Sequence, residues 1–205
     1  MANYGDRMFS QQHKFHPVIH LPKTYEIYDF STGYDPDRVM KHEYGIGKYA
    51  EERPNMYTGE LFEKDRRTVH MGIDIGAPEG TPIYAFAEGV IFAFGNNDNP
   101  LDYGPTIITE HCIEGITFYA LFGHLSQQSL AGKEIGQKII RGQEIAQVGK
   151  EEENGGWNPH LHFQLSRIKP ETYDLPGVVH KDKVEWAKAV FPDPQIILGT
   201  LYKNT

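Results

Sequence analysis

Two short segments that alternate apolar and polar residues constrain the fold of this chain more than any other feature. They are residues 69–75 (VHMGIDI) and residues 160–165 (HLHFQL). Because successive side chains of a β-strand point to opposite faces, each segment is predicted to be a strand with one apolar face and one polar face. The polar faces carry His70 and Asp74 in the first strand, and His160 and His162 in the second. We therefore expect these strands to hold a group of imidazole and carboxylate side chains.

These side-chain types favour a zinc site. Imidazole nitrogens and carboxylate oxygens suit Zn²⁺, and a catalytic zinc commonly has three protein ligands and one position for water. His70 and Asp74 would supply two ligands, and the alternation leaves the third open between His160 and His162. Gly72, which lies between the first two ligands, is expected to leave open space for the ion.

A hydrolytic zinc site also needs a group that moves a proton. The ion lowers the pKa of a bound water towards ~7, and a histidine is the usual group that takes the proton and returns it to the leaving amine. One candidate is whichever of His160 and His162 does not bind zinc. The other is His124, which follows the apolar run 118–122 and Gly123.

The middle of the chain is predicted to be an all-β sandwich or barrel-like sheet. Short apolar-alternating runs, separated by turn residues, cover 69–75, 82–86, 89–94, 105–111, 116–124, 138–148 and 160–168. Residues 1–65 lack this periodicity but are too aromatic for typical disorder. We therefore expect an ordered N-terminal extension over 1–65, a core over 66–168 and a C-terminal extension over 169–205. The C-terminal extension is predicted to contain one short helix over 182–189. In the N-terminal extension, Tyr44, Tyr49 and Tyr57 are expected to fold over the site.

Composition excludes some classes of partner and leaves others open. The formal net charge is −8, and no run of Lys and Arg is long enough to follow a phosphate backbone, so nucleic acid is excluded. No segment has the apolar length of a membrane span. The N-terminus shows no secretory signal, and the single Cys112, which we expect to be buried, fits a reducing compartment. The expected location is the cytoplasm, or the periplasm or cell exterior for a processed chain. The oligomeric state is not predicted.

Three motifs, in one order and spacing, carry a resemblance to a known family. They are His70-x-x-x-Asp74, the segment 122–126 (FGHLS) and His160-Leu161-His162. Together with the connecting segments 80–85, 88–91, 103–108 and 142–149, they make the chain similar to the M23 (LytM/lysostaphin-like) zinc metallopeptidases over roughly residues 66–168.

This resemblance implies roles for five residues. His70, Asp74 and His162 would bind one zinc ion, and His124 and His160 would handle the proton, with the choice of general base between them left open. The fold would be a mainly antiparallel β-sheet with the site in an open groove. The reaction would be hydrolysis of short peptide bonds of the kind found in bacterial cell-wall (peptidoglycan) cross-links, so the expected partner is a peptide or muropeptide.

Three further residues are predicted to bind substrate. Asn154 and Trp157 lie in the glycine-rich loop just before His160, and a loop held by a rigid sheet commonly carries binding residues. Tyr103 is expected to line the opposite wall of the groove.

A candidate subgroup and two alternative functions accompany this interpretation. The flanks resemble, more loosely, an M23-like domain that is fused between a phosphotransferase-like domain and an aminotransferase in some bacterial proteins. With no export signal, the alternative function is a non-catalytic, zinc-containing binding or regulatory module of the LytM type. A histidine phosphocarrier that used His124 and His160 would leave His70 and Asp74 without a role, so it ranks last.

Overall fold

The central element of the computed structural model is an eight-stranded sheet. The structure describes residues 8–9, 13–35, 41–59, 62 and 65–203. The other residues of the predicted extensions lie outside the described part of the chain.

Twelve short strands make up the β-structure of the described residues. They are β1 (Glu26–Ile27), β2 (Gly45–Gly47), β3 (Val69–His70), β4 (Ile73–Gly76), β5 (Pro82–Tyr84), β6 (Gly89–Asn97), β7 (Gly104–Ile113), β8 (Ile116–Gly123), β9 (Lys138–Ile139), β10 (Glu144–Gln147), β11 (His160–Ser166) and β12 (Val178–Val179). The large sheet has the order β1-β2-β4-β11-β8-β7-β6-β9, and all its pairs are antiparallel except β1 with β2. Two small antiparallel pairs, β5 with β10 and β3 with β12, complete the fold. The prediction of a mainly antiparallel all-β fold is confirmed.

Both faces of the large sheet are covered by apolar side chains. Alternation along β11 sends Leu161, Phe163 and Leu165 into a core that also includes Ile83 and Ile145 of the β5–β10 pair. Neighbouring residues of β7 and β8 point the other way, into a second cluster that the C-terminal region completes with Phe191. Both faces of the sheet are therefore packed, and the site lies where β4, β11 and the end of β8 meet.

The predicted strand over 69–75 is interrupted, so that prediction is wrong in detail. Val69 and His70 pair with β12, and Ile73 onward joins the large sheet. Val69 consequently packs in the second cluster and Ile73 in the first, instead of on one shared face. The break falls at Gly72, where a Cβ would come within 2.5 Å of the His162 ring. The space beside Gly72 is thus filled by an imidazole, and the expectation that it admits an ion directly is wrong.

The C-terminal region contains the predicted short helix. It covers Val184–Val190 and follows a 3-10 turn at Lys181–Lys183, and a second helical turn at Gln195–Leu198 was not predicted. Cys112 is exposed instead of buried, because the alternation of β7 turns its neighbour His111 inward. None of the helices in the described part of the chain has the length and apolar character that crossing a bilayer requires.

Candidate metal centre and catalytic histidines

Strand register brings the predicted metal ligands together. Asp74 on β4 is the direct cross-strand partner of His162 on β11. The short strand β3 brings His70 in from outside the large sheet. The Nε2 of His70 lies 2.9 Å from the Nδ1 of His162, and the Oδ1 of Asp74 lies 3.1 Å from each of these nitrogens. These three residues are the one buried His/Asp group of the described chain whose donor atoms could hold a metal ion.

The spacing of these three atoms fits zinc. Ligand atoms at about 2.1 Å from a tetrahedral ion lie roughly 3.4 Å apart, close to the 2.9–3.1 Å seen between the three atoms. The set of two imidazole nitrogens and one carboxylate oxygen is also the chemistry that zinc prefers. The residues present therefore fit the ion that the sequence resemblance implies.

A second layer of contacts fixes which nitrogen of each ligand histidine faces the site. The Nδ1–H of His70 donates to the carbonyl oxygen of Lys48 at 3.2 Å, which leaves its Nε2 as an acceptor. The Nε2–H of His162 donates to the Oε1 of Gln164 at 3.0 Å, which leaves its Nδ1 as an acceptor. The Gln164 amide nitrogen in turn donates to the carbonyl of Pro176, so its oxygen faces His162. Three acceptors therefore face one point, and a cation satisfies all of them.

Arg53 supports the third ligand from the N-terminal region. Its Nη1 donates to the Oδ2 of Asp74 at 2.7 Å, which leaves Oδ1 for the metal. The side chain is only 1% exposed, and its other donors contact Glu51, Tyr57 and the Lys48 carbonyl. Burial alone would raise the pKa of Asp74, but the nearby His70 and Arg53 hold it well below its usual range. Asp74 is therefore ionised, as a ligand must be.

His124 and His160 lie beside the metal centre as a pair. Their ring centroids are 4.2 Å apart, and the Nε2 of His160 is 3.8 Å from the Oδ1 of Asp74. The Nδ1–H of His124 donates to the carbonyl of Asn154 at 2.8 Å, and that of His160 donates to the carbonyl of Asn158 at 2.7 Å. Each ring therefore presents the lone pair of Nε2 to the site. This is the arrangement that a general base requires.

Burial keeps His70, His124 and His160 neutral. It lowers the pKa of His70 to about 4, with the positive charge of Arg53 acting in the same direction. Burial also lowers the pKa of His124 well below its usual range, with His160 contributing, and lowers the pKa of His160. Neutral imidazole is the form that binds metal and accepts a proton, so these groups are competent at neutral pH.

The candidate metal centre opens into a cavity of about 100 Å³. Trp157 and Tyr103, predicted to bind substrate, both line this cavity. The Tyr103 hydroxyl donates to the carbonyl of Leu175 at 3.2 Å. Among the extension tyrosines, Tyr57 also lines the cavity, whereas Tyr44 and Tyr49 pack against the apolar core and do not fold over the site. Tyr57 and Trp157 contact each other at the rim, with ring centroids 6.3 Å apart.

Asn154, also predicted to bind substrate, is fully buried behind its loop. Its side-chain amide donates to the carbonyl of Trp157 and accepts from the Trp157 N–H, each at 2.9 Å. Its own carbonyl accepts the His124 hydrogen bond. The structure thus places Asn154 where it fixes the loop and the orientation of His124.

Three contributors to the site were not predicted. Gln164 stands on the polar face of β11 two residues after His162, so the alternation could have identified it. Arg53 and the Lys48 carbonyl come from an irregular segment that no periodicity connects to the site. The pairing of β2 with β4, together with hydrogen bonds between residues 50–53 and residues 68–70, brings that segment into place.

Comparison with known proteins places this geometry in a family. DipM, a cell division protein of Caulobacter vibrioides, is 34% identical over 131 residues, which cover 63% of this chain and 20% of DipM. Mpg, a DD-carboxypeptidase/endopeptidase of Neisseria meningitidis, is 39% identical over 126 residues, which cover 58% of this chain and 26% of Mpg. The chain thus matches only a fifth to about a quarter of the length of these relatives.

One solved structure is the catalytic domain of the antimicrobial peptidase lysostaphin from Staphylococcus simulans. It is 21% identical to this chain, with a TM-score of 0.44, over 71% of this chain and 92% of the lysostaphin domain. The sequence profile of peptidase family M23 matches residues 68–174, which is more than half of the chain and includes all five site residues. The chain therefore belongs to peptidase family M23.

Proposed function

We propose that this protein is a zinc-dependent metallopeptidase that hydrolyses short peptide bonds of the peptidoglycan type. The observation that carries the proposal is the convergence of His70 Nε2, Asp74 Oδ1 and His162 Nδ1, with the free Nε2 of His160 close by. In this assignment the three converging residues hold one zinc ion. The substrate class follows from the family and from the name of Mpg as a DD-carboxypeptidase/endopeptidase.

The chain's own residues would supply binding, orientation and proton transfer. A bound zinc ion supplies Lewis acidity, which lowers the pKa of water and polarises a carbonyl. His124 or His160 accepts the proton of the attacking water at Nε2 and returns it to the leaving amine. The carbonyls of Asn154 and Asn158 hold the two rings in the tautomer that this transfer needs. Tyr103 and Trp157 form walls that contact the substrate, and Asn154 acts by positioning.

Metal analysis combined with a cleavage screen tests this proposal. The zinc-loaded protein should cleave muropeptides or short Ala- or Gly-containing peptides, and removal of zinc by a chelator should abolish cleavage reversibly. Asp74→Asn should lose both zinc and cleavage, whereas the control Asp182→Asn, at an exposed carboxylate, should keep both. Cleavage that survives complete removal of metal would contradict the proposal.

A second candidate is a non-catalytic, zinc-containing binding or regulatory module. The name of DipM, which describes a cell division protein and states no hydrolysis, is the observation that favours it. The complete set of ligands and free histidines favours the enzyme. The module would be supported if the protein binds wall fragments but cleaves none of them, and if His124→Ala and His160→Ala leave that binding unchanged.

A further inference from the structure

The cavity that contains the metal centre has a cationic wall that the proposed reaction does not use. Arg67 lines it together with the ligands His70 and Asp74, and its guanidinium carbon lies 5.2 Å from the centroid of the Phe62 ring. The Nε of Arg67 is buried, and it has no hydrogen-bond partner in the described chain. Buried polar donors in proteins nearly always have a partner, so this atom is the donor in the cavity that is available to a ligand.

Neither Asp102 nor Asp174, which share this cavity, is a hydrogen-bond partner of the Arg67 Nε. Asp102 also lines the cavity, but its carboxylate accepts from the Tyr103 N–H at 2.8 Å and from the Asn99 amide at 3.0 Å. Burial, with repulsion from Asp102, raises the pKa of Asp174 to about 6, although the positive charge of Arg67 acts in the opposite direction. A carboxyl with that pKa readily takes a proton when an anion binds beside it. The donor without a partner therefore belongs to a cation, the Arg67 guanidinium. An anion is the ligand that would pair with it.

The geometry points to a carboxylate as this occupant. A guanidinium presents parallel N–H donors in a fixed fork that matches the two oxygens of a carboxylate. We propose that Arg67 binds the free C-terminal carboxylate of the substrate, so that the enzyme removes the last residue of a peptide. This inference rests on the proposed peptidase function and names the class of peptide that the same site prefers.

The two cavities that meet at the site differ in size, which supports this orientation. The cavity with Arg67 has about 100 Å³, whereas a second cavity of about 480 Å³ shares Asp74 and His160 with it. The small cavity suits one small terminal residue, and the larger one suits the rest of the peptide. His124 lines the small cavity and not the larger one. It thus lies on the side where the leaving amine needs a proton.

The reaction would be an ordinary hydrolysis. The oxygen of one water forms a bond to the carbonyl carbon of the penultimate residue, and the C–N bond to the last residue breaks. One proton of the water passes through a histidine to the leaving amine, so the last residue departs as a free amino acid. Its carboxylate, held by Arg67, does not change during the reaction.

Matched substrates that differ only at the C-terminus test the inference. The zinc-loaded protein is given a short peptide ending in Ala-Ala, as the free acid and as the carboxamide, in both L and D forms. Wild type should cleave the acid with a kcat/KM at least tenfold above that of the amide. Arg67→Gln should lower kcat/KM for the acid to the level of the amide. Arg66→Gln, the same charge change at the exposed neighbour, should keep the preference.

Binding measurements separate failure of this inference from failure of the proposed function. If no peptide is cleaved, calorimetry on the zinc-loaded protein still compares the acid with the amide. If wild type binds the acid more tightly than the amide, and Arg67→Gln removes this difference, the carboxylate site is supported even without hydrolysis. Equal cleavage or binding of acid and amide by wild type, or a preference that persists in a folded Arg67→Gln protein, would overturn it. Thermal unfolding of each variant verifies the fold.

Discussion

Two kinds of buried histidine occur in this molecule, and their ring nitrogens distinguish them. His111, on the far part of β7, packs against Phe86 and Phe118, and both its nitrogens are bonded: Nδ1 to the carbonyl of Glu88 and Nε2 to the hydroxyl of Thr109, each at 2.8 Å. His124 and His160 each have Nδ1 bonded to a carbonyl, and their Nε2 atoms face the cavity.

Burial does not separate the two kinds. It lowers the pKa of His111 to about 4, and it lowers the pKa of His124 and His160 as well. A shifted pKa therefore does not identify a functional histidine here. We expect a free ring nitrogen to identify one, because a proton carrier or a metal ligand needs a lone pair that the fold has not already used.

The largest effect is expected from removing the free nitrogens. His124→Ala and His160→Ala should each lower kcat by about 10²–10⁴-fold, the usual contribution of general acid–base catalysis. Zinc content should stay at the wild-type level, because neither residue is assigned as a ligand. Steady-state kinetics with metal analysis measures both, and His20→Ala, at an exposed position, is the control. Wild-type rates in both variants would show that a free ring nitrogen does not distinguish the functional histidines from His111.

A smaller effect, confined to stability, is expected at His111. In the unfolded chain a histidine binds a proton below pH ~6.5, whereas folded His111 does so only near pH 4. Protons therefore favour the unfolded state between these values, so the His111 contribution is complete above pH 6.5 and declines as the pH falls towards 4. From pH 7 to pH 4, wild type should lose about 3 kcal/mol more unfolding free energy than His111→Leu does.

Denaturant unfolding of the zinc-free proteins across this pH range measures the difference. His111→Leu should keep the zinc affinity and kcat of wild type at pH 7, since the residue lies outside the site. A parallel pH dependence in the two proteins would show that His111 is not held neutral by burial.

The smallest effect is expected at the contact that orients a ligand. Gln164→Leu removes the acceptor for the Nε2–H of His162 at 3.0 Å. Zinc affinity should fall by about 10–100-fold, as is usual when the partner of a metal-bound histidine is lost. Competition with a chromophoric chelator measures it, with Gln128→Leu as an exposed control. Unchanged affinity would mean that the ring of His162 is held by packing alone.

The sequence predicted the residues of the site better than it predicted the contacts that hold them in place. Alternation identified the polar faces that carry His162 and Asp74, because a strand's period of two is local information. It failed at 69–75, since Gly72 ends one strand and the His162 ring fills the space beside it. That contact joins residues 90 positions apart along the chain, which no local pattern reports.

The same reasoning explains the other differences. Arg53 contacts Asp74 because β2 joins the edge of β4 and residues 50–53 bond to residues 68–70, and the segment around Arg53 has no periodic pattern. Cys112 lies in an apolar run, yet the register of β7 directs His111 inward and Cys112 outward. The polarity of one residue was a weaker guide than the alternation of its strand.

The zinc content of two neighbouring variants tests the central assignment most directly. Strand β11 carries both His160 and His162, and only the second is assigned as a ligand, by its 3.1 Å approach to Asp74. Mass spectrometric metal analysis of purified protein should find one zinc per chain in wild type and in His160→Ala, and far less than one in His162→Ala. Loss of zinc from His160→Ala, with zinc retained in His162→Ala, would contradict the account.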